Sequence, residues 1–115
     1  MAFSYAYFDR MDKDYCVDDC ESKYFIALLD RLKNLSEWTV KHFEENYSKA
    51  VRNHPIKWEE DRVSRDSFGI PGEEDMVENA WQFSVSVNEN GRVMGFFIGN
   101  VFYIRWLDKK HLTYR

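Results

Sequence analysis

The chain reads as an α+β protein, a helical hairpin packed on one face of a mainly antiparallel four-stranded sheet in the order β-α-α-β-β-β. Three observations carry that reading. An aromatic stretch near the start alternates with small residues, two helical stripes follow it, and the last third holds three apolar runs punctuated by Asn90-Gly91 and Gly99-Asn100. A length of 115 residues suffices to bury one hydrophobic core and not two, so residues 1–115 are expected to form a single domain.

The first strand comes from Phe3, Tyr5 and Tyr7, which alternate with Ser4 and Ala6 at the period of a half-buried strand. It joins the sheet at an edge or pairs with the middle strand of the later meander, and the pattern leaves both open. After the polar stretch "DRMDKDYCVDDCES", the residues Phe25, Leu28, Leu29 and Leu32, with Leu35 close to the same stripe, follow helical spacing. Asp18 and Asp19 suit the positive end of that helix, and Arg31 and Lys33 suit its negative end. "NLS" supplies cap-type residues, and Trp38, His42, Phe43 and Tyr47 mark a second helical segment running to "NYSKA".

From 51 to 80 the text changes. This stretch holds both prolines, two of the five glycines and many charges without sustained periodicity, which predicts a long connection with one extended piece at Pro55 to Trp58. Regularity returns where Trp81, Phe83, Val85 and Val87 alternate with polar residues, the pattern of a strand over 81–87. Asn90-Gly91 is the preferred pair for a two-residue type I′ turn, and Gly99-Asn100 suits type II′, so strands over 92–98 and 101–107 complete an antiparallel meander.

Charge is unevenly spread. The chain carries −4 overall, but residues 92–115 carry five basic side chains against the lone Asp108, leaving −8 on the remainder. A uniformly basic nucleic-acid coat is thereby excluded, while a focused basic site on an acidic body is not. Cys16 and Cys20, separated by three residues in "CVDDC" with no second pair and no nearby histidine, fit two small hydrophobes in a reducing compartment better than a zinc site. No basic and apolar leader opens the chain, and no apolar run is long enough to cross a bilayer, so a cytoplasmic location is expected. Neither a phosphate-cradling glycine loop, nor a G-x-S-x-G elbow, nor an H-E-x-x-H helix is present.

The segment "NENGRVMGFFIGNVFYIRWLDKKHLTYR", residues 88–115, places an arginine at the opening of one strand, a tight turn into the next, and a histidine and tyrosine at the end. With the preceding order of strand and helical hairpin, it resembles the RelE/YoeB superfamily of bacterial toxin endoribonucleases, which cut messenger RNA, typically on the ribosome. The resemblance implies that Arg92 stabilises charge on a phosphate, that His111 is a general acid, that Tyr114 stacks or positions, that no metal or other cofactor is needed, and that a cognate antitoxin binds the protein. This chain departs from the pattern in three places: Leu112 and Thr113 separate His111 from Tyr114, which are adjacent in the family. The strand before Arg92 offers Gln82, Ser84, Ser86 and Asn88 where the family has a charged residue, and the 51–80 connection is long.

Cleavage by 2′-OH attack requires a base, an acid and cations for the charge on phosphorus. His54, beside Pro55 and near Arg52, is the second imidazole available for that work, whereas His42 sits on a helix beside Phe43. Tyr103 and Arg105, two apart on one strand, suit base stacking and phosphate binding, as do Arg52, Lys109 and Lys110 around them. The alternative for Tyr103 and Arg105 is a polar sheet face covered by the 51–80 connection. Two functions follow: a toxin-like endoribonuclease acting on mRNA, or a non-catalytic protein-binding module of phage or plasmid origin, which the sequence pI of about 5.4 suits.

Overall fold

Successive side chains of a strand face opposite sides of its sheet, and in this protein both sides are apolar. The computed structural model describes residues 1–87 and 89–114; Asn88 and Arg115 lie outside the described residues. The elements are β1 (Ala2–Ser4), α1 (Ser22–Ser36), α2 (Val40–Glu45), β2 (His54–Pro55), α3 (Glu74–Glu78), β3 (Ala80–Ser84), β4 (Arg92–Ile98) and β5 (Val101–Asp108). The α+β class is as expected. The sheet, however, has five strands in the order β1-β5-β4-β3-β2, and it is mixed, because β1 runs parallel to β5 at one edge. The additional strand, β2, pairs His54 with Gln82 and Pro55 with Trp81 at the other edge, where the missing proline N–H costs no ladder bond.

One face is covered by the helices. Tyr24, Leu28, Leu32 and Leu35 of α1 and Phe43 of α2 pack on Phe83, Val93, Phe97, Phe102, Ile104 and Leu107. The α1 stripe is thus rotated from the one expected: Phe25 and Leu29 are exposed, and Tyr24 takes the place of Phe25 against the sheet. Thr39 caps α2 by accepting the His42 N–H at 3.0 Å. The helix stops at Glu45, short of the expected end, because Asn53 Nδ2 donates to the Phe43 and Asn46 carbonyls at 2.7 and 3.0 Å and so satisfies its last turn.

The opposite face is covered by the 51–80 connection, which contains β2 and α3 and is no simple loop. Ile56 and Phe68, with Trp58, Ile70 and Met76 alongside, pack on Ala80, Met94, Phe96 and Trp106. Tyr15 closes this side by stacking on Trp106 at 4.5 Å and 19°. A sheet buried on both faces needs two covers, which accounts for the length of this segment.

Two further departures shape the site. The expected strand over 81–87 leaves the ladder after Ser84, whose partner is Arg92. Asn90 and Gly91 have the positive φ angles of 70° and 69° that their sequence predicts, but they close a connection over residues 85–91 rather than a two-residue turn. Gly91 is required there: a Cβ would lie 2.0 Å from the Asp108 carbonyl oxygen. The second hairpin is as expected, with Ile98 paired to Val101 across Gly99 at φ 58°.

The second departure is a β-bulge in β5. Gly95 pairs with Ile104 while Met94 pairs with Trp106, so Arg105 has no partner on β4. One inserted residue reverses the facing of all that follow. Ile104 lies in the helix-side core, yet Trp106 faces the opposite side and Leu107 returns to the helices. Gly95 permits the irregularity, since a Cβ there would lie 2.0 Å from the Tyr103 carbonyl oxygen and 2.6 Å from the Phe102 ring. Among the described residues no helix is long and apolar enough to cross a membrane.

Candidate functional site

Because strand neighbours in register share a face, the ladder sets two ranks of side chains across the side opposite the helices. One rank runs His54, Gln82, Met94 and Trp106; the next runs Ser84, Arg92 and Asp108. Over the end of these ranks the chain beyond β5 folds back, and a cavity of about 170 Å³ remains. Its walls are His54, Arg62, Gln82, Arg92, Met94, Asp108, His111 and Tyr114. Four residues singled out from the sequence, His54, Arg92, His111 and Tyr114, therefore meet in one pocket.

The tail that supplies His111 and Tyr114 is tied down at several points. Asp108 accepts the Leu112 and Thr113 N–H groups on its two carboxylate oxygens at 2.8 and 3.0 Å. Ser64 receives the tail through its N–H to the Thr113 carbonyl and its hydroxyl to the Leu112 carbonyl, each at 2.7 Å. The Tyr15 and Thr113 hydroxyls are 2.5 Å apart. Tyr114 pairs with Val63, accepts the Lys57 N–H on its hydroxyl at 3.0 Å, and carries the Arg62 guanidinium over its ring at 5.1 Å.

Within the pocket the charges are unevenly answered. Arg62 is paired with Glu60 at 2.8 Å, whereas among the described residues no carboxylate lies within ion-pair distance of Arg92, whose only hydrogen bond is a long one, 3.4 Å, to the Gly91 carbonyl. Arg52 is not a wall of the cavity, but its charge reaches both Arg92 and His111. Burial, reinforced by Arg92 and Arg52 and opposed by Asp108, holds His111 below the usual histidine range. Burial likewise lowers His54, opposed by the Pro55 carbonyl and aided by Arg92 and Arg62. Both imidazoles are therefore neutral near pH 7, and an anion entering beside Arg92 would draw protons onto them.

Two of these basic residues have left-handed backbones, Arg52 at φ 53° and His111 at φ 57°. For non-glycine residues this costs roughly 1–2 kcal/mol each. The bonds flanking each position, from the Arg52 N–H to the Ser48 carbonyl at 2.6 Å and from Asp108 to the residues after His111, hold the strain in place. His54 Nδ1 lies 3.4 Å from Gln82 Nε2 and 3.3 Å from the Pro55 carbonyl oxygen. The tautomer that donates to Pro55 leaves the Nε2 lone pair free to act as a base.

The remaining sequence candidates lie elsewhere. The Tyr103 ring stacks on Phe96 at 5.4 Å and 14° and meets Tyr7 edge-on. Arg105, at the bulge, donates to the Phe68 and Tyr7 carbonyls at 3.1 and 2.9 Å and approaches Asp9 at 3.7 Å. These two do not form an open stacking surface; they fasten the cover to the sheet, and the face they occupy is apolar where a polar one was the expected alternative. Lys109 and Lys110 line a different cavity of about 180 Å³ with Lys13, Asp14, Cys16, Asp18 and Asp19. His42 packs edge-on against Trp38 at 4.5 Å on α2. Among the described residues no group of three or more His, Cys, Asp and Glu side chains converges as a metal site.

Gln82, Arg62 and Asp108 were not among the site residues expected from the sequence. Gln82 stood on the polar parity of its strand in the sequence, and only the second cover, which buries Ala80 and Met94 beside it, turns that side inward. Asp108 carried no signal, because without the bulge its parity assigns it to the helix side. Ser84, in the rank of Arg92, is fully buried, and its hydroxyl has no partner among the described residues. Comparison with protein-family models, with curated proteins and with solved structures finds no match to this chain.

Proposed function

We propose that the pocket takes a phosphodiester of RNA and that the protein is a metal-independent endoribonuclease of toxin type, acting on messenger RNA and restrained by a cognate antitoxin. The observation that carries this reading is the convergence of His54, Arg92, His111 and Tyr114 on one cavity where, among the described residues, Arg92 has no carboxylate partner. Neutral His54 removes the proton of the 2′-hydroxyl, whose oxygen attacks phosphorus. The bond to the 5′-oxygen breaks, and protonated His111 delivers a proton to that leaving oxygen. Products are a 2′,3′-cyclic phosphate and a 5′-hydroxyl. Arg92 holds the non-bridging oxygens as charge builds on them, and Arg52 adds field from behind. Tyr114 closes the site beside His54.

The test is cleavage of RNA oligonucleotides in the presence of EDTA, with growth and transcript 5′ ends followed after induced expression in bacteria. Wild type should cut, arrest growth and create new mRNA ends, and His111→Ala, Arg92→Ala and His54→Ala should each relieve this at equal protein levels. A wild-type protein that leaves RNA intact in both settings overturns the proposal. One observation favours a second reading: Phe25, Ile26 and Leu29 form an exposed apolar stripe on α1, the kind of surface by which a non-catalytic module docks another protein.

A further inference from the structure

A carboxylate is an odd wall for a pocket that is to bind an anion. Asp108 is 1% exposed, sits directly across the ladder from Arg92, and yet makes no ion pair with it among the described residues. Its oxygens are committed instead to the N–H groups of Leu112 and Thr113. The residue between Lys110 and Leu112 is His111, whose backbone is left-handed. Only the bulge at Arg105 brings Asp108 to this side; in unbroken register it would face the helices.

We propose that Asp108 is the positioning residue of this pocket, its carboxylate fixing the turn after β5 so that His111 is presented to Arg92 across the cavity. This rests on the reading of His111 as the acid. The carboxylate acts in two ways. As a double acceptor it draws in consecutive backbone donors and makes the strained conformation at His111 the local minimum; such charge-assisted bonds to buried N–H groups are stronger than neutral ones. As a negative charge it opposes Arg92 and Arg52, the cations that act on the imidazole, while His54, Arg62 and Tyr114 complete the titratable groups of the cavity. With its oxygens turned to Leu112 and Thr113, Asp108 makes no ion pair with Arg92 among the described residues, which leaves that guanidinium for the phosphate.

The experiment is an NMR titration of His111 in wild type and in Asp108→Asn, with pH profiles of RNA cleavage for both. Asparagine keeps one acceptor and removes the charge. The His111 midpoint should fall by about half a pH unit, a roughly threefold loss of proton affinity, and the alkaline limb of kcat/KM should move with it. At the same time kcat should fall roughly tenfold with KM little changed, as expected for a group that acts in the transition state. An unmoved His111 midpoint and limb overturn the proposal even if both proteins cut RNA. If neither protein cuts RNA, the reading of the site as a ribonuclease fails, while the His111 midpoint still decides whether Asp108 positions it. Should Asp108→Asn fail to fold, hydrogen exchange in wild type decides: Leu112 and Thr113 amides should exchange at least tenfold more slowly than the Lys110 amide, which has no hydrogen bond among the described residues, and equal rates overturn the assignment.

Discussion

The rings of His54 and Tyr114 meet edge to face, with centroids 5.8 Å apart and planes at 81°. The contact joins the edge strand β2 to the tail beyond β5, and the Tyr114 hydroxyl strengthens it by accepting the Lys57 N–H. Tyr114→Phe keeps the ring and deletes that acceptor, and it should cost about 1 kcal/mol in urea unfolding while leaving cleavage largely intact. Tyr114→Ala removes the ring contacts with His54 and Arg62 as well, and should lower both stability and activity. Equal effects from the two variants would mean that the hydroxyl, not the ring, closes the pocket.

Both pocket histidines lie below their ordinary range, mainly through burial. If one must be neutral and the other protonated, kcat/KM should follow a bell whose maximum lies on the acid side of pH 6.5. A maximum well above pH 7 would exclude this pair.

The same depression has a consequence for stability. An unfolded histidine binds its proton near pH 6.5, before the folded one does, so stability from these residues is present above that pH and is lost as pH falls through the folded values. The unfolding midpoint should therefore drop as the pH falls below 6.5. Inorganic phosphate, by pairing with Arg92, should recover part of the loss in wild type and none in Arg92→Gln. A phosphate effect that survives Arg92→Gln would place the anion elsewhere.

Arg105→Gln separates fastening from RNA contact. Its guanidinium serves Phe68, Tyr7 and Asp9, and replacing it leaves those buried acceptors without a cation, a loss of roughly 1–3 kcal/mol. The protein that remains folded should bind RNA as tightly as wild type. Weakened binding at undiminished stability would restore Arg105 to the RNA surface.

Gly91→Ala should be among the most damaging single changes near the site. The positive φ alone costs more than about 1 kcal/mol, and the new methyl group would collide with the Asp108 backbone. Denaturant unfolding measures it, and a loss under 1 kcal/mol would show that the β4 and β5 ends can part without penalty.

Much of the architecture was written in local patterns. Asn90 and Gly91, both at positive φ, and Gly99, at positive φ before Asn100, mark the two connections of the meander, and alternation from Trp81 onward places β3, because both signals depend on immediate neighbours. The helices were legible as elements, but the buried stripe of α1 was misplaced by one position, since Tyr24 and Phe25 are equally suited to a core and only the sheet's position chooses between them. The parallel docking of β1 on β5 depends on contacts between opposite ends of the chain, which periodicity does not encode. The bulge was invisible for a related reason: Gly95 yields to the Phe102 ring only once β4 and β5 are side by side. So His54 could be named from its imidazole, and Arg92, His111 and Tyr114 from the resemblance of the C-terminal segment, while Asp108 required the register.

The two covers of the sheet are unlike in their wiring. On the helix side a 15-residue helix supplies a regular stripe, whereas the opposite side is held by an irregular segment fastened through single bonds such as those of Ser64, Lys57 and Arg105 to distant partners. A segment held by few, partly exposed hydrogen bonds opens locally at less cost than a continuous packed stripe. A brief detachment of that cover would erase the site while the helix-side core stayed intact. Chaperone capture and protease clipping should both find this protein first in a state that is folded but has no pocket.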